Sequence, residues 1–256
     1  MKKLSILLLT VVFTTVFVWV GFAAGQKDPA EYKIAWFAPI PHPYFDAVKK
    51  GIEAWEKDTG IEVRKVIGQE WTQKNENENV EALAALGYKA FSIYPADPTA
   101  ANGLYEELVE HGIYVVNFGA KTTEPTPASF YAGTDIRQAA LDAAEKLCEL
   151  LGYRGNILNV LEIIEDVNTI VRNEAIKEVV AKYPDVHIIG EVADIKSVEE
   201  GMEKIQNALA AQIEEIDGVI CTGLPLRLRQ RSFFQSFMRR RKNIFDSSAL
   251  MMIRRC

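Results

Sequence analysis

The chain has 256 residues, with 29 Lys and Arg against 35 Asp and Glu, 48% apolar and 25% charged side chains, and three cysteines. That composition is globular; it excludes a disordered or collagen-like chain, and a net charge of −6 argues against a general binder of nucleic acid. The average conceals a break, because residues 224–256 hold eight of the twelve arginines and Lys242 against one acid, Asp246, leaving −14 on residues 1–223 and +8 on the tail.

The N-terminus opens with Met1-Lys2-Lys3, followed by an apolar run from Leu4 to Val20 and small residues at Gly21 and Ala23 to Gly25. This pattern predicts a secretory signal over residues 1–25, cleaved just before Ala24 or Gln26. An uncleaved anchor is the competing reading, since the run approaches the roughly 20 residues that span a bilayer. No cysteine follows the run, so no lipid anchor is expected and the mature protein is expected to be exported and soluble. Cys148 falls in a helical pattern and Cys221 ends an apolar strand; without CxxC or Cys/His clusters, neither metal nor redox chemistry is expected.

From Lys33 onward an apolar strand, an amphipathic helix and a glycine recur, the pattern of repeated βα units. Strands are expected at Lys33–Ala38, Ile61–Ile67, Ala90–Tyr94 and Ile113–Phe118, with helices at Tyr44–Asp58, Asn77–Leu86 and from Pro98 to His111. Gly60, Gly87 and Gly112 are placed to stop those helices. Lys121–Ser129, with two prolines and three threonines, is expected to cross between lobes. The pattern restarts with a short strand at Ser129–Gly133, a helix at Gln138–Leu151, and strands at Asn156–Leu161, Val186–Val192 and Gly218–Cys221, separated by helices at Asn168–Lys182 and Val198–Ile213. Near-continuous apolar strands imply parallel sheets covered on both faces, hence an α/β chain of two doubly wound, Rossmann-like lobes joined by a hinge. The expected divisions are a signal at 1–25, a first lobe at 26–120, a second, incomplete lobe at 121–223, and the basic tail at 224–256.

Ligands of open parallel sheets bind beyond the carboxyl ends of the strands, so those residues are the site candidates. After the first strand, a proline-rich loop presents His42, Tyr44 and Phe45, aromatics suited to stacking on a flat ring, although helix packing would also explain one of them. Trp71 follows the second strand; Tyr94 and Asp97 follow the third, where Asp97 also suits a helix N-cap. In the second lobe Asp135 follows the short strand, and Arg172 opens the next helical segment. Its planar fork suits hydroxyls or a carboxylate, unless it pairs with Glu165 or Glu174 on the surface. The sequence has no GxSxG, GxxxxGK[ST], GxGxxG or HExxH, so no enzyme signature and no cofactor is expected.

Lys33-Ile34-Ala35-Trp36 leading to Pro43-Tyr44-Phe45, Ala85-Leu86-Gly87 leading to Tyr94-Pro95-Ala96-Asp97-Pro98, Gly112-Ile113-Tyr114-Val115-Val116, and Arg172 ahead of Ile176-Lys177-Glu178 occur in an order and spacing that resembles type I periplasmic solute-binding proteins of the ribose/galactose class. The resemblance implies the type I periplasmic binding protein fold and capture of a monosaccharide or related polyol by hinge closure. It implies delivery to the permease of an ABC importer in the periplasm or extracytoplasmic space, with a chemoreceptor as a further partner. It implies stacking by Tyr44 and Phe45, hydroxyl contacts from Arg172, and contacts from His42, Tyr94 and Asp135. The family commonly has an Asp at the end of its fourth strand; this chain has Gly119, which leaves the identity of the sugar open. The alternatives are an exported α/β enzyme acting on a small sugar through Asp97 or His42, and a sugar sensor presenting its ligand to a membrane receptor.

The tail departs from the resemblance at Leu224. One reading is a basic amphipathic helix on an anionic membrane, carrying Phe233, Phe234, Phe237 and Met238 beside Arg239 to Lys242. The favoured reading is a shift of reading frame after Gly223: read two bases later, the codons of Met251-Met252-Ile253 necessarily encode two aspartates. That reading leaves the C-terminal part incomplete and predicts uncovered apolar faces and impaired ligand binding.

Overall fold

Ile34–Ala38 (β1) is apolar along its whole length, and its side chains alternate between two cores. Ala35 and Phe37 pack with one set of helices, while Trp36 and Ala38 pack with another. The computed structural model describes residues 33–223. The expected signal segment and the basic tail, with its inferred frame shift, lie outside the described residues. The elements after β1 are α1 (Pro43–Thr59), β2 (Val63–Ile67), α2 (Gln73–Ala85), β3 (Ala90–Ile93), α3 (Ala101–Glu110), β4 (Tyr114–Phe118), β5 (Tyr131–Ala132), α4 (Ile136–Leu150), β6 (Gly155–Val160), α5 (Val167–Val180), β7 (Val186–Val192), α6 (Val198–Gln212) and β8 (Gly218–Cys221).

Two parallel sheets result, β2-β1-β3-β4-β5 and β7-β6-β8. Right-handed crossovers to opposite sides of β1 put α1 on one face of the first sheet and α2 and α3 on the other. The second sheet repeats the arrangement: α4 and α5 pack on one face through Leu147, Cys148 and Ile176, and α6 packs on the other through Ile205 and Leu209. Each lobe is therefore doubly wound, as the alternation of strands and helices predicts. Gly60 ends α1 in the left-handed conformation (φ 73°), its N–H donating to the Glu56 carbonyl at 2.8 Å.

The structure corrects the expected crossing. The Lys121–Ser129 segment stays on the first lobe, pinned by the buried Thr122, whose hydroxyl accepts from Asn117 Nδ2 at 2.8 Å, and by Asn102 Nδ2 donating to the Thr123 carbonyl at 2.7 Å. The short strand that follows shrinks to β5 and completes the first sheet rather than opening the second. The free edge of β4 captures it, with Asn117 N–H on the Phe130 carbonyl and Gly119 N–H on that of Ala132, both at 2.9 Å. The chain passes to the second lobe just after Ala132. Cys148 and Cys221 are buried free thiols, and burial pushes the Cys148 thiol up to about 11. Among the described residues no helix is long and apolar enough to cross a membrane, and no three His, Cys, Asp or Glu gather to hold a metal.

Candidate functional site

In the first sheet the chain reverses its winding between β1 and β3, and in the second between β6 and β8. At such a switch point the loops diverge and leave a crevice beyond the strand ends. Here the two crevices face each other and enclose one cavity of about 150 Å³, a size that admits a single six-membered ring.

The first lobe supplies the aromatic side. His42 is the N-cap of α1: its extended backbone lets Nδ1 accept the Tyr44 N–H at 3.2 Å. Burial holds its pKa below the ordinary 6.5, with Asp46 opposing the shift, and because Nδ1 accepts, the neutral ring carries its proton on Nε2, which can donate. Phe45 is 1% exposed and lies edge-on to Tyr94, with centroids 5.0 Å apart at 78°. Its burial, worth about 1.5–3 kcal/mol, makes it first a core residue and second a cavity wall. Trp71 is half-buried, 5.6 Å from Tyr94 and edge-on to it. Gly119 is what lets these rings approach the backbone: its φ is +70°, and a Cβ there would lie 2.6 Å from Tyr44 Oη and 2.9 Å from the Tyr94 ring. An aspartate at this position would therefore have to displace the Tyr44 and Tyr94 rings.

The second lobe supplies the polar side. Asp166 is the N-cap of α5, with Oδ1 accepting the Asn168 N–H at 3.1 Å. The same oxygen accepts the Tyr94 hydroxyl proton at 2.9 Å, and Asn168 Nδ2 donates to Tyr94 Oη and to the Gly119 carbonyl, both at 2.9 Å. These buried bonds join the lobes at the floor of the cavity. Burial raises the Asp166 pKa, against the bonds from Asn168 and Tyr94 and the nearby Arg172 charge. Arg172, almost two turns into α5, is half-buried on the cavity wall. Among the described residues neither Glu165 nor Glu174 forms an ion pair with it, and Glu165 lies instead against Lys196. The arrangement can therefore hold a small polar ring, with apolar faces against aromatics and hydroxyls against Arg172, His42 and the buried carboxylates.

Of the residues singled out in the sequence, the structure brings His42, Tyr44, Phe45, Trp71, Tyr94 and Arg172 around this one cavity. It does not bring Asp97 or Asp135 there. Asp97 is exposed and its Oδ1 accepts the N–H groups of Thr99 and Ala100, both at 2.8 Å, in the turn that starts α3. Asp135 is likewise exposed and caps α4 through the Gln138 N–H at 3.0 Å. Asp97 thus closes the turn before α3 and Asp135 caps α4, and neither belongs to the cavity lining. Sequence reasoning missed Asp166, Asn168, Glu162 and Thr222, which line the cavity. The Asp166-x-Asn168 pattern is an N-cap signal that starts the helix at Val167, and it was available in the sequence.

Residues 37–227 match the family described as the periplasmic binding protein domain. The chain is similar to the xylitol-binding protein of Mycolicibacterium smegmatis, at 23% identity over 177 residues, 67% of this chain and 49% of that protein. It is similar to the D-apiose import binding protein of Actinobacillus succinogenes, at 22% identity over 179 residues, 70% of this chain and 57% of that protein. The matches thus span about half the length of these curated relatives. A crystal structure of an ABC transporter solute-binding protein from Burkholderia graminis in complex with D-arabinose superposes with a TM-score of 0.72 and 20% identity, covering 82% of this chain and 74% of that one. That likeness shows a shared fold. With most of its described residues inside the family match, the chain belongs to the periplasmic binding protein domain family.

Proposed function

We propose that this chain is the ligand-capturing body of an extracytoplasmic solute-binding protein, which takes one monosaccharide or polyol between its lobes and delivers it to an ABC importer. The observation that carries the reading is the cavity at the facing switch points, with an aromatic wall on one lobe and Arg172, without an ion-pair partner among the described residues, on the other. The names of the relatives, which specify xylitol, D-apiose and D-arabinose, support a small polyhydroxylated ligand. The family and the secretory pattern at Met1–Gly25 support an extracytoplasmic location. Capture rather than turnover is the proposed activity.

A ligand in the cavity touches both lobes only when they are closed, so it stabilises the closed form by its differential affinity. The closed surface is the one a membrane permease, or a chemoreceptor, would read. The test is calorimetric titration of the purified chain with a panel of pentoses, hexoses and polyols, after a melt has shown cooperative unfolding. The expected result is one-to-one binding of at least one compound, recovered unchanged by mass spectrometry. A cooperatively folded chain that is silent on the whole panel overturns the reading.

A further inference from the structure

Glu76 lies in the first turn of α2, is fully buried, and belongs to no wall of the cavity. Its Oε2 accepts the Ala96 N–H at 2.6 Å, while its Oε1 has no hydrogen-bond partner among the described residues. The other end of residue 96 is also held, because Trp71 Nε1–H donates to the Ala96 carbonyl at 3.0 Å. Residue 96 is thus gripped on both sides by the segment that follows β2. Two residues earlier in the same loop stands Tyr94, its N–H on the Phe37 carbonyl at 3.1 Å and its ring 5.6 Å from that of Trp71.

We propose that Glu76 is a positioning residue of the ligand cavity: its carboxylate clamps the backbone at Ala96 and thereby sets the Trp71–Tyr94 wall. The proposal rests on the ligand-capture reading for its consequence, but the clamp itself exists without ligand. A short bond from an ionised carboxylate to an N–H is stronger than one from a neutral group, so the clamp tightens when Glu76 is charged. Burial pushes the Glu76 carboxyl up to about 7, so its charge changes in the neutral range. The groups that face it are the Gln73 side chain, which opposes the rise, Asp97, whose charge adds to it, and the Tyr105 hydroxyl on α3, which is buried with no hydrogen-bond partner among the described residues and is raised in turn by burial and the Glu76 charge. His42 reaches Trp71 only through Phe45, with ring separations of 5.8 and 6.4 Å.

The test reads the Trp71 indole N–H resonance in 1H–15N spectra, assigned by its loss in Trp71→Phe. In the unaltered chain it is expected to move between pH 6 and 8, with a midpoint of about 7. Glu76→Gln keeps an acceptor for the Ala96 N–H and the side-chain volume, so the resonance should stay near its original place and stop titrating. Glu76→Ala leaves a buried N–H unpaired; it should shift the resonance and weaken binding of D-arabinose or xylitol about tenfold, with Glu76→Gln restoring most of the affinity. A folded Glu76→Ala chain whose Trp71 resonance is unmoved overturns the proposal. So does a titration in Glu76→Gln equal to that of the unaltered chain, and this pair decides the matter if Glu76→Ala does not fold. If neither sugar binds the unaltered chain the capture reading is what fails, and the indole arm still decides the clamp.

Discussion

Arg172 is one of four arginines before residue 224, and its place on the cavity wall distinguishes it from Arg137, which is engaged by Glu178 on the surface. A guanidinium that makes no ion pair within the described residues contributes little to holding the chain together, but it retains five donors for a ligand. Arg172→Met, which keeps the apolar stem, is therefore expected to leave the unfolding free energy within about 0.5 kcal/mol while lowering ligand affinity about 10- to 100-fold. Arg172→Lys should recover little of that, because an ammonium cannot present a planar fork. Calorimetric titration beside a denaturant melt checks both numbers, and a large loss of stability with unchanged affinity would assign the residue to the scaffold instead. Removing the cation also removes one of the influences that hold the Asp166 pKa down, so Asp166 should titrate at higher pH in the Met variant.

At the scale of elements, strands were legible because their apolar runs are short and are separated by helices that end in glycine; β3 at Ala90–Ile93 lies within one residue of its expected span. The start of α2 was not legible. The polar run Gln73-Lys74-Asn75-Glu76 carries no apolar stripe, so the helix was expected from Asn77, yet Thr72 caps it by accepting the Asn75 N–H at 3.3 Å. Nothing in that polar run marks Glu76, which only the fold shows to be buried and bonded to the distant Ala96 N–H. Asp97 and Asp135 erred in the opposite direction, since a carboxylate beside a strand end serves a helix cap as readily as a ligand.

The burial of Glu76 has a consequence for stability whose sign is fixed. An ordinary glutamate titrates near 4.5, whereas Glu76 titrates at about 7 in the folded chain, so folding favours its protonated form. The stabilising contribution is complete below about pH 4.5 and is lost as pH rises through about 7, a change of about 3 kcal/mol. Glu76→Gln cannot ionise and is spared that loss. Its stability relative to the unaltered chain should therefore rise by about 2 to 3 kcal/mol between pH 5 and pH 8 in urea titrations, and a pH-independent difference would show that Glu76 is not buried as a titrating group.

For the whole molecule, the question is what holds two lobes in register when the chain passes between them just after Ala132. The buried contacts among Tyr94, Asp166, Asn168 and the Gly119 carbonyl join first-lobe loops to the start of α5, and they sit at the floor of the cavity. They act only while the lobes are together, so their loss falls on the closed arrangement and not on either lobe's own core. Tyr94→Phe keeps the ring against Phe45 and Trp71 but leaves Asp166 and Asn168 each one partner short, at a cost of about 1–3 kcal/mol. That cost lowers the closed population, and apparent affinity falls by the same factor because only closed molecules bind with full contact. Small-angle scattering of ligand-free Tyr94→Phe should give a larger radius of gyration than the unaltered chain, with the difference disappearing at saturating ligand. Equal radii together with equal affinities would mean that these bonds do not bias closure, and that the lobes are held by the backbone passing between them.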